Sequence, residues 1–206
     1  NLEYELCTVP IPHILIKDFI KDKKVLDFLC GNSELHPVYK RERLGNLERI
    51  EMYARSDKKR NKGKFTSVLP DDFFSEKFNH IVENILLDMQ NCDELVDIFK
   101  KEFTPYMEKE YPNFNESWKK ENRSLTYGAY NVTSEAKNLI GWHLDKGDKL
   151  IAGFVYLKED RDKGNDGHLY LSDGSNIQKE VPYVNNTLVV WPNLPNAWHK
   201  AGVRYP

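Results

Sequence analysis

The sequence predicts an α+β, mainly β fold, in which helices pack on a β-barrel or jelly roll. Two observations carry this prediction. Residues 124–206 alternate short β-rich runs with Asp-Gly, Gly-Asn and Asn-Asn turn signals, which is typical of an antiparallel sandwich or barrel. The preceding part carries apolar residues at helical spacing, which indicates helices that cover one side of a sheet.

The chain length and composition narrow the class of protein. With 206 residues, 40% of them hydrophobic, the chain can build one domain with a real core, so wholesale disorder is excluded. We expect a single domain, 1–206. Residues 1–120 would form a strand and helical support, and residues 121–206 a jelly-roll core that carries a metal site and is cut short at the C-terminus.

Charge and hydropathy exclude two kinds of partner. The formal net charge is −2, whereas a protein that binds nucleic acid by bulk electrostatics is strongly basic. The longest apolar run, residues 150–157, is far shorter than the roughly 20 residues that span a bilayer. The widely spaced Cys7, Cys30 and Cys92 form no zinc pattern and favour reduced thiols. We therefore expect a cytoplasmic protein with no nucleic-acid or membrane partner.

Periodicity places the individual elements. The sequence predicts helices over 19–29, 78–89 and 94–109, the last two with one apolar face each. It predicts strands over 14–16, 125–131, 150–157, 168–171, 187–191 and 198–203. The basic stretch 55–64 has two interpretations, a substrate- or phosphate-binding loop and an ordinary solvated loop, and the second is favoured.

A candidate metal site lies in the β-rich part. His143 and Asp145 are two apart, so on a strand or strand end both side chains point the same way. If the strand carrying His199 lies beside the first, the three groups form a facial set of two histidines and one carboxylate. Such a set leaves three coordination positions of the metal ion open, as in non-haem Fe(II) oxygenases.

The triplet alone is weakly specific. About one His-x-acid triplet is expected by chance in a chain of this composition, so both histidines could equally be satisfied or surface residues. His168 is interpreted as a strand residue, although a zinc site that uses it remains an alternative. Trp142 and Trp198 flank the two histidines and either wall the site or, as we favour, pack in the core.

The order of segments around the triplet is more specific. After the His-x-Asp come a strand ending in Tyr156-Leu157, the segment 167–171 (GHLYL) and the strand 188–192 (LVVWP), and then His199. This series resembles the iron(II)- and 2-oxoglutarate-dependent dioxygenase superfamily, in particular its prolyl-4-hydroxylase-like branch. The resemblance covers about residues 125–203 and is weakly echoed by residues 12–19.

The resemblance implies a double-stranded β-helix, a jelly-roll barrel with supporting helices. It implies Fe(II) held by His143, Asp145 and His199, with 2-oxoglutarate and O₂ as co-substrates, and it allows ascorbate as a reductant. Tyr127 and Tyr130 match positions where the family often has a tyrosine that reaches 2-oxoglutarate, but they could equally be ordinary strand aromatics. Arg204 is either the basic partner of the far carboxylate or a bystander, the true partner lying beyond Pro206.

The implied reaction is hydroxylation of an unactivated C–H bond, with release of succinate and CO₂. The substrate would be a prolyl residue of a peptide or protein, or alternatively a free amino acid or small metabolite. The presence of Asp145 favours hydroxylation over halogenation, because the halogenases of the superfamily replace this carboxylate with a small residue. A cupin- or lectin-like binding module without catalysis is the rival from another class.

Overall fold

The computed structural model describes residues 2–30, 49–53, 84, 88, 92–119, 129–133, 140–145, 149–158 and 167–201. This part of the chain is mainly β, with two α-helices. Its strands form two four-stranded antiparallel sheets and a separate two-stranded ribbon. Neither four-stranded sheet closes on itself within the described residues.

The elements follow one another along the chain as follows. They are β1 Glu5–Cys7, β2 His13–Ile16, α1 Lys23–Leu29, β3 Arg49–Tyr53, α2 Asp93–Met107, a 3₁₀ helix Phe114–Trp118, β4 Ala129–Thr133, β5 Ile140–His143, β6 Ile151–Tyr156, β7 Leu169–Ser172, β8 Gln178–Val181, β9 Thr187–Pro192 and β10 Trp198–Ala201.

Most of the predicted elements are confirmed to within a few residues. Strands β2, β6, β7, β9 and β10 and helix α2 lie where the periodicity placed them. The predicted strand 125–131 is described only from residue 129, where β4 begins. The predicted helix 78–89 lies outside the described residues except for residues 84 and 88, both of which are helical, and the basic stretch 55–64 lies wholly outside them.

Helix α1 begins four residues later than its apolar spacing predicted. Asp22 is the N-cap, and its side chain accepts hydrogen bonds from the amides of Lys24 and Val25. The amides of Phe19 and Ile20 donate instead to the backbone and side-chain oxygens of Asn186. The prediction was wrong here because a distant asparagine satisfies these amides and holds the segment against the sheet.

The two sheets define the architecture. Sheet I has the strand order β1-β2-β9-β6 and sheet II the order β5-β10-β7-β8. From β5 onward the chain passes between the sheets, because β6 and β9 join sheet I while β5, β7, β8 and β10 join sheet II. The ribbon pairs β3 with β4, with Met52 opposite Tyr130.

Sheet I is covered on both faces. Trp191 of β9 faces sheet II, where its ring lies 4.9 Å from the ring of His199. The opposite face carries Ile14 and Val190, which are paired across β2 and β9 and buried. Helix α2 contacts β9 and buries Phe103 and Met107 in the same core. Burial of such side chains stabilises the fold by about 1.5–3 kcal/mol each.

Candidate metal centre

The two candidate histidines are cross-strand partners. His143 ends β5 and His199 lies on β10, and the two residues are directly paired in the antiparallel register. Directly opposite residues project from the same face of a sheet, and their Cβ atoms lie about 5 Å apart. The imidazole rings accordingly lie with their centroids 4.1 Å apart. The strand pairing therefore fixes the spacing of the two rings.

Backbone carbonyl groups set the tautomer of both rings. Nδ1 of His143 lies 2.8 Å from the carbonyl oxygen of Gly141, and Nδ1 of His199 lies 3.1 Å from that of Ala197. A carbonyl oxygen can only accept, so each Nδ1 carries the proton and donates. In a neutral ring with this tautomer, Nε2 carries the lone pair. This is the arrangement that orients metal-binding histidines in proteins.

Asp145 supplies the third group. It follows β5 by two residues, and its Oδ2 lies 3.7 Å from Nε2 of His199. Its other oxygen, Oδ1, accepts a hydrogen bond of 2.6 Å from the ammonium group of Lys149. One ligand atom from each of His143, Asp145 and His199 falls within 4.8 Å of the others. Among the described residues, this is the one cluster of three His, Cys, Asp or Glu side chains able to hold a metal ion.

The surroundings favour the neutral form of His199. The side chain is buried, and burial lowers its pKa from the ordinary value of 6.5. Nearby His143 lowers the pKa further, while the Ala197 carbonyl and the Asp145 carboxylate oppose the shift. Neutral imidazole is the form that binds divalent metals, so His199 is ready to bind one near neutral pH.

The donor set fits a first-row divalent metal. Two imidazole nitrogens and one carboxylate oxygen are the ligands of the facial triad that binds non-haem Fe(II), and they leave further coordination positions free. The fit concerns the metal alone, because none of the residues proposed to bind 2-oxoglutarate has a described side chain. Tyr127 and Arg204 lie outside the described residues, and only the backbone of Tyr130, on β4, is described.

The flanking tryptophans belong to the opposite face of sheet II. Trp142 and Trp198 each precede a candidate ligand by one position, and successive side chains of a strand point to opposite faces. The Lys200 ammonium group lies 4.9 Å from the Trp142 ring and 4.8 Å from the Tyr170 ring. This placement disfavours a wall of the site, and both tryptophans are half-buried rather than part of the core.

His168 is engaged elsewhere. The amide of Tyr183 donates to its Nδ1 at 3.0 Å, and its Nε2 lies 3.6 Å from a carboxylate oxygen of Glu180. It lies one residue before β7 rather than within that strand. These contacts separate His168 from the candidate metal centre and disfavour a zinc site that uses it.

Sequence reasoning missed two side chains at the centre, Lys149 and Trp191, and the burial of a histidine elsewhere, His13. Lys149 contacts Asp145, but a spacing of four residues predicts a contact only on a helix, and neither residue is part of one. Trp191 contacts His199 across the two sheets, which no local pattern indicates. His13 is fully buried, and its Nδ1 lies 2.8 Å from the Ile11 carbonyl oxygen. The sequence did not distinguish His13 from a surface histidine.

Comparison with known proteins adds no family to this picture. No family model matches the chain, and no curated protein matches it significantly.

No helix among the described residues combines the length and the apolar character needed to cross a bilayer. Cys7, Cys30 and Cys92 are all free thiols.

Proposed function

We propose that the chain is a non-haem Fe(II)- and 2-oxoglutarate-dependent dioxygenase that hydroxylates an unactivated C–H bond. The observation that carries the proposal is the convergence of His143, Asp145 and His199, with both Nε2 atoms available for a metal. Two histidines and one carboxylate with open positions are the ligand set of non-haem Fe(II) oxygenases, and the sequence resemblance favours iron over the zinc that similar sets also bind.

The strand order supports a jelly-roll fold for this enzyme. Successive strands from β5 to β10 alternate between two antiparallel sheets, apart from the β7–β8 hairpin, and a jelly roll would require such alternation. In sheet II the order β5-β10-β7-β8 brings the first and last of these strands side by side. That adjacency is what joins His143 to His199, so the proposed fold and the proposed site depend on the same pairing.

The protein's own residues have defined parts in this proposal. His143, Asp145 and His199 hold the iron, and the carbonyl groups of Gly141 and Ala197 orient the two rings. Trp191 covers His199 on the side of sheet I and excludes water from it. Iron, when bound, would let O₂ act as the oxidant: one oxygen atom would go to the succinate formed, with loss of CO₂, from 2-oxoglutarate, and the other would convert the substrate C–H to C–OH.

The co-substrate and substrate contacts are part of the proposal. Arg204 would pair with the far carboxylate of 2-oxoglutarate, since a guanidinium group binds a carboxylate through two hydrogen bonds. Tyr127 and Tyr130 would contribute hydroxyl groups. The substrate would be a prolyl residue of a peptide or protein, as the sequence resemblance implies. A free amino acid that gains 16 Da while prolyl peptides remain unmodified would overturn this substrate.

Succinate release tests the proposed activity. The wild-type chain, loaded with Fe(II) under nitrogen, is mixed with 2-oxoglutarate and air beside the variants His143→Ala and Asp145→Ala. His168→Ala is the matched control, because it removes a histidine of the same β region that lies outside the centre. We expect succinate from the wild type and the control alone. Metal binding without succinate would favour the jelly-roll binding module instead.

A further inference from the structure

The two oxygens of the Asp145 carboxylate have different partners. Oδ1 lies 2.6 Å from Nζ of Lys149, whereas Oδ2 lies on the side of His199, 3.7 Å from its Nε2. We propose that Lys149 is a positioning residue that makes Asp145 a ligand through Oδ2 alone. This inference rests on the proposed function, because it concerns the metal that the three ligands would hold.

Lys149 is held in place by its own backbone. The side-chain amide of Asn193 donates to the Lys149 carbonyl oxygen at 2.8 Å, and the Asn193 backbone amide donates to the Leu150 carbonyl oxygen at 2.9 Å. Asn193 is buried and follows β9 directly. The hydroxyl group of Tyr111 donates to the Asn193 carbonyl oxygen at 2.8 Å. These hydrogen bonds hold the backbone at Lys149 against the end of β9. The Lys149 side chain therefore extends to Asp145 from a backbone whose position is fixed.

The pair lies in a partly shielded position. The Lys149 and Asp145 side chains are 30% and 13% exposed, against 83% and 45% for Lys23 and Asp27, a surface pair with the same spacing of four residues. Shielding strengthens a charge-assisted hydrogen bond, whereas exposed pairs contribute little. Lys149 therefore holds Oδ1 more firmly than an ordinary surface lysine would.

One-oxygen ligation has a chemical consequence. A carboxylate can bind a cation through one oxygen or through both, and a second bound oxygen occupies one more coordination position. Three protein ligands leave about three positions of an octahedral metal open. A co-substrate that chelates through two atoms would use two of them, and O₂ would need access to the third. By retaining Oδ1, Lys149 would keep the Asp145 carboxylate from occupying that position.

A competing role for Lys149 makes the opposite prediction. An ammonium group beside a carboxylate can also act as a substitute for the metal, which must then displace it. Removal of Lys149 would in that case strengthen metal binding and leave the number of bound waters unchanged. The two roles are therefore distinguished by the hydration of the bound metal.

Mn(II) is a suitable probe, because the relaxation of water protons reports the number of waters on the ion. The full chain is compared with Lys149→Met, Lys149→Gln and Lys149→Arg. Lys23→Met is the matched control, since it removes a lysine paired with an aspartate four residues away on α1. Lys149 is partly exposed, so these variants should fold, and thermal melting verifies it.

We expect about three exchangeable waters in the wild type and in Lys23→Met. Lys149→Met and Lys149→Gln should each lose about one, which lowers the relaxivity by about a third, and Lys149→Arg should restore it. Unchanged hydration in both neutral variants, with or without tighter Mn(II) binding, would overturn the positioning role. Failure of the wild type to bind Mn(II) would instead refute the metal centre and, with it, the proposed function.

Discussion

His143 and His199 face each other across the β5–β10 strand pair, with their ring centroids 4.1 Å apart and their planes inclined by 55°. Because antiparallel pairing sets which residues are opposite, a shift of one residue would turn one ring to the other face of the sheet. The candidate site is therefore specified by strand register as much as by residue type.

His13 should make stability depend on pH. Burial lowers its pKa from the ordinary value of 6.5, Lys179 lowers it further, and the Ile11 carbonyl and Glu5 oppose the shift. As the pH falls below the ordinary pKa of 6.5, the His13 side chain of the unfolded chain binds a proton that the folded chain does not yet bind. The free energy of unfolding should be fully retained above about pH 6.5 and fall below it toward the folded-state pKa.

Urea denaturation of the metal-free protein between about pH 8 and pH 5 measures this effect. In His13→Asn, which cannot titrate, the loss of stability at acidic pH should be smaller than in the wild type. The contribution of His199, whose pKa is also lowered, is common to both proteins and cancels in the comparison. Parallel curves for the two proteins would show that His13 is not responsible.

Asn186 should be among the residues most sensitive to substitution. Its side chain accepts from the Ile20 amide at 2.8 Å and donates to the Ile20 carbonyl oxygen at 3.1 Å, and its φ is +58°. Asn186→Ala loses both hydrogen bonds. It also places alanine in the left-handed region, which asparagine tolerates better than alanine does. We expect a loss of about 2–4 kcal/mol in unfolding free energy.

Asn186→Gly separates the two causes. Glycine adopts the left-handed conformation freely but makes neither side-chain hydrogen bond. Its cost, measured by the same denaturation, should therefore be smaller than that of alanine by about 1 kcal/mol. Equal stability of both variants and the wild type would contradict the role assigned to this residue.

Any side chain at position 153 is expected to lower the stability of the fold. A Cβ at this position would lie 2.6 Å from the backbone oxygen of Val189 on the neighbouring strand β9. Gly153→Ala must therefore move one strand of sheet I or weaken the pairing, at a cost of about 1–3 kcal/mol in thermal or chemical unfolding. Gly141→Ala is the matched control, because a Cβ there meets nothing within 4 Å. Equal destabilisation by the two substitutions would refute the close contact.

Strong local signals made much of the fold predictable. The one-faced apolar pattern of α2 and the alternating or continuous apolar runs of β2, β6 and β9 were enough to locate them. Polar β8 has three exposed residues out of four and gave no such signal. Strand β1 is short, and the start of α1 depends on hydrogen bonds to Asn186, far away in the sequence. The missed features are strands with a weak local pattern and a helix start that depends on a tertiary contact.

The same division applies to the candidate site. The spacing of His143 and Asp145 predicted that the two side chains share one face. Their proximity to His199 depends on the order of strands in the sheet, which could only be assumed from the sequence. The roles of Gly141 and Ala197 could not be foreseen, because carbonyl groups carry no residue signature. The role proposed for Lys149 could be recognised only from the structure, in which the two oxygens of the Asp145 carboxylate contact different partners.

Direct metal titration tests the central claim that His143, Asp145 and His199 form one divalent metal site. Fe(II) is titrated under nitrogen by calorimetry into the wild type, Asp145→Asn and His199→Gln, with His168→Gln as the control. We predict a single ion per chain for the wild type and the control. Either ligand variant should weaken binding by about 100-fold or more, since loss of a ligand costs at least as much as loss of an outer-shell partner. Equal affinity and stoichiometry in all four proteins would contradict the assignment of the site.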